Sequence, residues 1–385
     1  MDLPNTADVV IVGGGVMGAS TAYHLAKRGV EDVLLLERQP FFGMEATGKC
    51  AGGIRHQFGT EVNVRLSLLS ISKLDRFQEE LGQPIDLNYC GYLFLLTNEE
   101  DLDVFRENVA LQHRLGVETE WLAPEEIAEL APLVDLEGVL AGTFYDRDGL
   151  ADPNSVVQGY CSGARRQGAT LRNEVEVTDI RVAGGRLTEV VTDQGTVSAP
   201  VVVNAAGPWA GEIGRMAGVE IPVEPIRRQI VVTGPLPAVP PDFPFVIDFA
   251  QSLYFHREGE GILTGMSNHD QAPGFDQSID QNWEIVHLGA AMDRMPILER
   301  AGLASHWAGL YEVSPDAHPI LGRVSEVEGL YCICGFSGHG FMHGSGCGQL
   351  LAEEILDGGA HTVDISSLYL DRFREGEEIV EYHVI

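Results

Sequence analysis

Lysine is nearly missing from this chain of 385 residues: Lys27, Lys49 and Lys73 are the only three. Bases of both kinds are few, 25 Lys and Arg against 57 Asp and Glu, for a net charge of −32. So acidic a surface argues against nucleic acid or anionic membrane as a partner. The acid excess and the bias of arginine over lysine point to a halophilic protein of a high-salt cytoplasm, where carboxylates hold hydration and salt screens their repulsion. The plainer alternative is an ordinary acidic protein. Long apolar runs are also absent. No stretch reaches the length of a membrane span, and the first strand begins eight or nine residues in with no secretory leader before it, so a cytoplasmic location is expected. Six cysteines without regular spacing do not make a disulfide framework and fit reduced thiols. Cys332 and Cys334 are two apart in an apolar run, facing one way in a buried strand, and no further ligands are spaced to complete a metal site. Repeats and low-complexity tracts are lacking too. The length is enough for two domains with large cores.

What the chain does have is glycine in one informative arrangement. The apolar run 9–12 is followed at once by Gly13-Gly14-Gly15-Val16-Met17-Gly18, and residues 16–28 carry Ala19, Ala22, Leu25 and Ala26 at helical spacing. Gly13, Gly15 and Gly18 fit G-x-G-x-x-G: the first permits the tight turn, the second lets backbone approach a pyrophosphate, the third lets helix and strand pack closely. The helix start at Gly15, Val16 and Met17 then offers free N–H groups and partial positive charge to phosphates. A second strand over 32–36 ends at Glu37, 19 residues after Gly18. A carboxylate there accepts hydrogen bonds from both ribose hydroxyls and repels a 2′-phosphate. Strand, helix, second strand and acid in register define a dinucleotide site, FAD or NAD on this evidence.

The segment 43–58, GMEATGKCAGGIRHQF, is too glycine-rich for a helix and carries Lys49, Arg55 and His56; such a loop after the second strand suits passage close to a cofactor. A helix is expected over 60–81, a strand over 85–97, an amphipathic helix over 99–115 and a short one over 124–130, with a turn at Asp148-Gly149. The next helix spans 153–167 and ends before Gly168. Extended chain follows over 170–177, with a hairpin at Gly184-Gly185 that closes over 196–199. Another buried strand, 201–204, runs into Ala205, Ala206, Gly207, Pro208 and Trp209, small residues that admit a bulky group near the backbone or a closely packed helix. Seven prolines between 222 and 244 suggest edge strands and loops. Strands over 252–256 and 261–265 pair, and a helix is expected over 283–295. The strand 330–334 leads into Gly335-Phe336-Ser337-Gly338-His339-Gly340-Phe341-Met342, with a helix over 345–356. A second glycine-lined helix start favours a flavin, whose ring gains negative charge on reduction. The order of segments implies a discontinuous cofactor domain, 1–84, 148–220 and 306–385, and a substrate domain of largely antiparallel sheet, 85–147 and 221–305.

GGGVMG…ER, VVNAAGPWA and GFSGHGF together resemble the flavoprotein family of D-amino acid oxidase, glycine oxidase and sarcosine oxidase, over nearly the whole chain. GIRHQF, GYLFLL, W-A-G-x-Y and GFSGHGFM are most similar to β subunits of heteromeric sarcosine oxidase and dye-linked L-proline dehydrogenase. The resemblance implies an α/β fold of glutathione-reductase type, an FAD-binding Rossmann domain joined to an antiparallel-sheet substrate domain, and oxidation of a C–N bond in a small amino acid. It implies FAD contacts from Gly13, Gly15, Val16, Met17, Gly18, Glu37, Arg38, Thr47, Gly48, Lys49, Cys50, Gly52, Gly53, Ile54, Val177, Ala205, Ala206, Gly207, Trp209, Gly309, Gly335, Gly338, His339, Gly340, Phe341 and Met342. It also implies a partner subunit, with FMN held between chains.

The departures from that family pattern bear on chemistry. Gly309 and Ala151 stand where relatives carry flavin-linking Cys and His, so the FAD is expected to be non-covalent. Met342 stands where a Lys helps hold the substrate carboxylate, which leaves Arg55 for that role. The candidate catalytic residues are Arg55, Tyr254 and His339, with alternatives beside each: Arg55 balances flavin or an acid, Tyr254 packs a sheet, His339 caps or lines the flavin helix. His56 reads as structural. A dehydrogenase of proline-, sarcosine- or glycine-like substrates is favoured, because the sarcosine oxidases it resembles use a lysine near the flavin to promote reaction with oxygen and none follows Lys73 here; Lys49, in the cofactor loop, is the alternative for that role. The alternatives are a peroxide-forming oxidase, a flavin-bearing scaffold without turnover, and a 2-hydroxy-acid dehydrogenase. The electron acceptor is open among quinone, dye and protein.

Overall fold

The computed structural model describes residues 3–384. Strand Val9–Val12 lies inside a six-stranded sheet, ordered Ile320–Arg323, Leu330–Cys334, Val201–Asn204, Val9–Val12, Val33–Leu36, Thr170–Arg172. All neighbours are parallel except Ile320–Arg323, which turns back along Leu330–Cys334. Alternate residues of the central strands enter different cores. Val9, Ile11, Val33 and Leu35 pack with the helices Val16–Lys27, Pro153–Arg166 and Gly340–Asp357. Val10, Val12, Leu34 and Leu36 pack with Ala210–Met216 and the three-stranded sheet Val177–Ala183, Arg186–Thr192, Gly195–Ser198. Burial on both faces removes the polar alternation of a surface strand, which is why these strands read as unbroken apolar runs.

The second large sheet has eight strands, ordered Leu303–Val313, Glu224–Thr233, Gly261–Met266, Leu253–Glu258, Phe245–Asp248, Tyr92–Leu96, Ala141–Tyr145, Glu120–Leu122. It is antiparallel apart from the pair Phe245–Asp248 and Tyr92–Leu96. One face buries Leu93, Leu95, Val246 and Phe255 against helix Gln281–Arg294. The other presents Tyr92, Phe245, Tyr254 and Ile230. The expected mixed α/β fold, a parallel nucleotide-type sheet beside a largely antiparallel one, is the fold observed.

Several elements depart from the sequence reading. The helix expected over 60–81 is two, Glu61–Asp75 and Phe77–Leu81, broken at Arg76. The strand over 85–97 is only Tyr92–Leu96, and the extended stretch over 170–177 is Thr170–Arg172 followed by Val177–Ala183. The proline-rich stretch yields a ten-residue strand, Glu224–Thr233, paired on both sides over 230–232; Pro225 is tolerated because its end of the strand is paired only with Leu303–Val313. The helix expected over 345–356 begins at Gly340. Its glycines serve close approach: a Cβ on Gly344 would crowd Val16, and one on Gly348 would overlap Ser20 of the dinucleotide helix. Residues 1–84, 148–220 and 306–385 supply every strand of the six-stranded sheet. The boundary at 306, however, falls inside Leu303–Val313, which pairs along Glu224–Thr233 in the larger sheet.

All six cysteines are free, and Cys332 and Cys334 do share one core. Among the described residues, no helix is long and apolar enough to cross a membrane, and no cluster of His, Cys, Asp or Glu is placed to hold a metal ion.

Candidate active site

At the end of Val9–Val12 the chain turns through Gly13 with φ +112°, its amide donating to the carbonyl of Leu36 at 2.9 Å. A Cβ on Gly13 would overlap the Ala205 carbonyl, and one on Gly18 would overlap the Gly13 carbonyl oxygen, so both positions fix the strand–turn–helix itself. Gly15 differs. It caps the helix Val16–Lys27 with φ −74° and ψ −173°, an ordinary extended conformation, and a Cβ there would approach only the Thr47 hydroxyl, at 3.1 Å. The space beside Gly15 is therefore open cleft, and helix N–H groups face it. Thr47 Oγ1 accepts from the Val16 amide at 3.2 Å. Glu37 accepts from the amides of Gly14 and Gln39, each at 2.7 Å. Burial raises the Glu37 carboxyl above its usual range, while those two amides pull it back. The guanidinium of Arg38 lies 3.9 Å from the Trp209 ring centre. Val175 to Val177 and Ala205 to Gly207 form the opposite wall.

The far end of the cleft is closed by Tyr311, Glu312, Gly338, Gly340 and Phe341. Glu312 is a buried carboxylate whose Oε2 has no hydrogen-bond partner; burial pushes its carboxyl up to about 7 against the backbone amides of Gly335 and Phe336. An unsatisfied acceptor deep in a cleft suits a ligand that brings hydroxyl groups. A glycine cradle at a helix start, an acid at the second strand and this orphaned carboxyl together fit a dinucleotide carrying a hydroxylated chain, as FAD does.

A second cavity adjoins the first. Ala46, Cys50, Leu310, Tyr311, Gly338 and Phe341 line both. Its floor is the aromatic face of the eight-stranded sheet: Tyr92, Phe245, Tyr254, Ile230 and Arg228, with Gly309 and Tyr311 from the neighbouring strand. Its roof is the glycine-bearing loop from Lys49 to Gly53 and the turn from Ser337 to Met342. The hydroxyls of Tyr92 and Tyr254 are driven well above the usual range by burial, and that of Tyr311 is raised for the same reason, so all three stay protonated.

Residues 8–354 match the model of the family described as FAD dependent oxidoreductase (DAO). The chain belongs to this family. It is 33% identical to human mitochondrial sarcosine dehydrogenase over 373 residues, which is 92% of this chain and 40% of that one. The chain thus spans about two fifths of the length of the first curated relatives it matches. Among solved structures, L-proline dehydrogenase of P. horikoshii superposes with a TM-score of 0.91 at 33% identity, covering 98% of this chain and 100% of that one. Glycine oxidase of Geobacillus kaustophilus gives 0.84 at 27% identity, covering 96% and 99%.

In this FAD-dependent oxidoreductase the expected cofactor residues separate into three groups. Gly13, Gly15, Val16, Met17, Glu37, Arg38, Thr47, Cys50, Val177, Ala205, Ala206, Gly207, Trp209, Gly338, Gly340 and Phe341 line the dinucleotide cleft. Lys49, Gly52, Gly53, Gly309, His339 and Met342 line the second cavity instead. Gly18, Gly48, Ile54 and Gly335 line neither: Gly18 and Gly48 pack on the backbone of Gly13 and Gly43, Ile54 is core, and Gly335 turns the chain at φ +76°.

The catalytic candidates all border the second cavity, but two are already engaged. His339 Nε2 is 2.9 Å from the Ala317 carbonyl, which can only accept, so that nitrogen carries the proton. Its Nδ1 then accepts from His343 Nδ1 at 3.2 Å, and His343 Nε2 accepts from the Ser67 hydroxyl at 2.9 Å. Burial lowers the His339 pKa to about 3. This neutral chain leaves His339 no nitrogen for a substrate. Arg55 donates to the carbonyls of Gln57 and His383 and lies 3.8 Å from the centre of the Phe58 ring. His56 is structural, as expected: its Nδ1 and backbone amide both meet Asp148 Oδ1 at 2.7 Å. Asp148, expected only as part of a turn, is fully buried and also accepts from Gln57 at 3.1 Å.

The sequence reading missed Arg228, Tyr92, Tyr311, Glu312 and Glu45 at these walls. Tyr311 closes the W-A-G-x-Y motif and Glu312 follows it directly, which is a usable signal. Arg228 had none, since its strand was expected at an edge.

Proposed function

We propose that this chain is an FAD-dependent dehydrogenase oxidising the C–N bond of a small α-amino acid, a secondary one such as proline or sarcosine. The observation that carries the reading is the junction of the two cavities at Cys50, Tyr311, Gly338 and Phe341, where a dinucleotide cleft opens into a small chamber with aromatic walls and guanidinium groups. When bound, FAD supplies the hydride acceptor. The chain's own residues bind and orient. Tyr92, Phe245 and Tyr254 exclude water from the chamber, and the arginine-lined wall takes the substrate carboxylate. The helix start at Gly340 offers N–H groups to developing negative charge. No described residue is free to act as a strong base here, in keeping with hydride loss from a neutral amine, which needs proximity more than a base.

Oxygen reactivity decides between dehydrogenase and oxidase. Lys49 is the one lysine at the chamber, and its ammonium is held by Glu45 at 3.0 Å and by Gln277. A lysine fixed in an ion pair is poorly placed to promote oxygen reduction. The names sarcosine dehydrogenase and L-proline dehydrogenase support this side; glycine oxidase supports the alternative, a peroxide-forming oxidase. The test is anaerobic flavin bleaching with a panel of amino and hydroxy acids, followed by reoxidation. We expect bleaching by a secondary amino acid, slow return of colour in air and fast turnover with an artificial dye or quinone. Rapid stoichiometric peroxide would make it an oxidase, and a flavin that no amino acid reduces would make it a scaffold. A partner subunit is part of the proposal on the resemblance alone; full dye-linked turnover by the isolated chain would remove it.

A further inference from the structure

Two guanidinium groups border the substrate chamber, and they are bound to the protein differently. Two arginines elsewhere are neutralised by an acid, Arg294 by Asp248 and Arg372 by Asp316, each at 2.8 Å, whereas Arg172, away from the chamber, shares with Arg228 a buried Nε without a partner. Among the described residues, neither Arg55 nor Arg228 has a carboxylate within salt-bridge distance. In a chain with 57 acids to 25 bases, that is not for want of carboxylates. Arg55 is nonetheless accommodated. Both its terminal nitrogens donate to backbone carbonyls, it stacks on Phe58, and the buried carboxylates of Glu381 and Asp148 face it at longer range.

Arg228 is not accommodated in this way. Its Nη1 donates to the carbonyls of Arg227 at 3.1 Å and Asn268 at 3.5 Å. Its Nε is buried without a partner, and Nη2 has none among the described residues, so the Nε–Nη2 edge is unpaired. The titratable groups that act on it are the phenols of Tyr311 and Tyr254, both neutral. The register places Arg228 opposite Gly309 with its guanidinium 5.3 Å from the Tyr311 ring centre, and Tyr311 borders both cavities. A half-buried cation without an anion is costly to hold, and a planar carboxylate matches an unpaired Nε–Nη2 edge with two parallel hydrogen bonds.

We propose that Arg228, not Arg55, grips the carboxylate of the substrate, and that Arg55 is a positioning residue tying the loop at Gln57 to the segment at His383. This rests on the amino-acid reading above for the substrate class. The probe is pyrrole-2-carboxylate, a planar ring acid that cannot be oxidised, titrated into the FAD-loaded protein and read by the visible flavin spectrum. Arg228→Met should weaken its binding by about 30-fold or more, the scale for removing one partner of a buried charge pair, with flavin content unchanged. Arg228→Lys keeps the charge but not the fork and should lose several-fold; it decides alone if Arg228→Met does not hold flavin. Pyrrole-2-carboxamide, lacking the charge, should bind wild type and both variants alike. Unchanged affinity for the acid in the Arg228 variants, a loss confined to Arg55→Lys, or no binding of the acid to wild type would each overturn the proposal. If the acid binds through Arg228 yet no amino acid bleaches the flavin, the anchor stands and the C–N oxidation reading falls. If amino acids bleach it equally well in wild type and Arg228→Met, the reverse holds.

Discussion

The three glycines of the G-x-G-x-x-G turn should fail in different ways when substituted, because they face different things. At Gly15 the backbone is extended and a Cβ would approach only the Thr47 hydroxyl, at 3.1 Å, a contact that a small rotation relieves. Gly15→Ala should therefore fold as the wild type does. Its methyl would stand where a pyrophosphate meets the helix N–H groups, and each charge-assisted hydrogen bond lost there is worth about 1.5–3 kcal/mol, roughly 10- to 100-fold in affinity. Gly18→Ala puts a Cβ into the Gly13 carbonyl with the Leu35 side chain close by, an overpacking that costs about 1–3 kcal/mol. Gly13→Ala meets the Ala205 carbonyl and adds the strain of φ +112°, itself about 1–3 kcal/mol. The assay pairs thermal denaturation of the flavin-free proteins with FAD titration by fluorescence quenching. Gly15→Ala should keep the apoprotein melting temperature and lose FAD affinity; the other two should lower the melting temperature by several degrees. If Gly15→Ala melts as low as Gly18→Ala, or binds FAD as tightly as wild type, the division of labour argued from the geometry is wrong.

Acid should unfold the protein early. Burial lowers His339 to about 3 and His256, His287 and His383 to about 4, against 6.5 unfolded, so below pH 6.5 the unfolded chain takes up protons that the fold refuses, and stability is lost as pH falls toward those folded values at about 1.4 kcal/mol per histidine per unit. Glu312, raised to about 7, runs the other way between 7 and 4.5 and offsets one of them; a melting temperature flat from pH 7 to 5 would contradict this accounting. Acid or heat denaturation should release the flavin into the supernatant, because Gly309 and Ala151 offer no side chain to bond it; flavin precipitating with the chain would refute a non-covalent site. With a net charge of −32, thermal stability should be higher in about 1 M KCl, where the screening length is roughly 3 Å, than in dilute buffer, and equal melting temperatures would count against the halophilic reading.

What could be read from the residues, and what could not, follows from how local each signal is. The dinucleotide turn was legible because strand, turn, helix start and Glu37 lie within 30 residues, and each glycine answers a constraint set by its immediate neighbours. The helix at Gly340 was placed five residues late because propensity counts glycine against a helix. Here Gly344 and Gly348 are what let the helix lie against Val16 and Ser20, a contact more than 300 residues away in the chain. The same distance effect hid the chamber. Its floor takes Tyr92, Arg228, Phe245, Tyr254 and Tyr311 from five strands of one sheet, and no spacing in the chain brings them together.

Arg55 and Arg228 show where the two kinds of information part. Arg55 stands in a motif, GIRHQF, so resemblance nominates it; Arg228 stands in a proline-rich stretch that reads as edge strand and loop. Only the partners of each guanidinium separate them. A motif records that a cation is needed near a place, but whether that cation holds the ligand or holds the protein depends on which of its five donors are already engaged. Arg55 gives its outer edge to two carbonyls and has acids behind it, while Arg228 keeps an unpaired edge with neutral phenols around it. Glu312 makes the same point with the opposite charge. Its neighbours leave one buried oxygen without a donor at the far end of the nucleotide cleft, and that vacancy is a property of the folded backbone around Gly207 and Gly335, which no reading of Tyr311-Glu312 in the chain supplies.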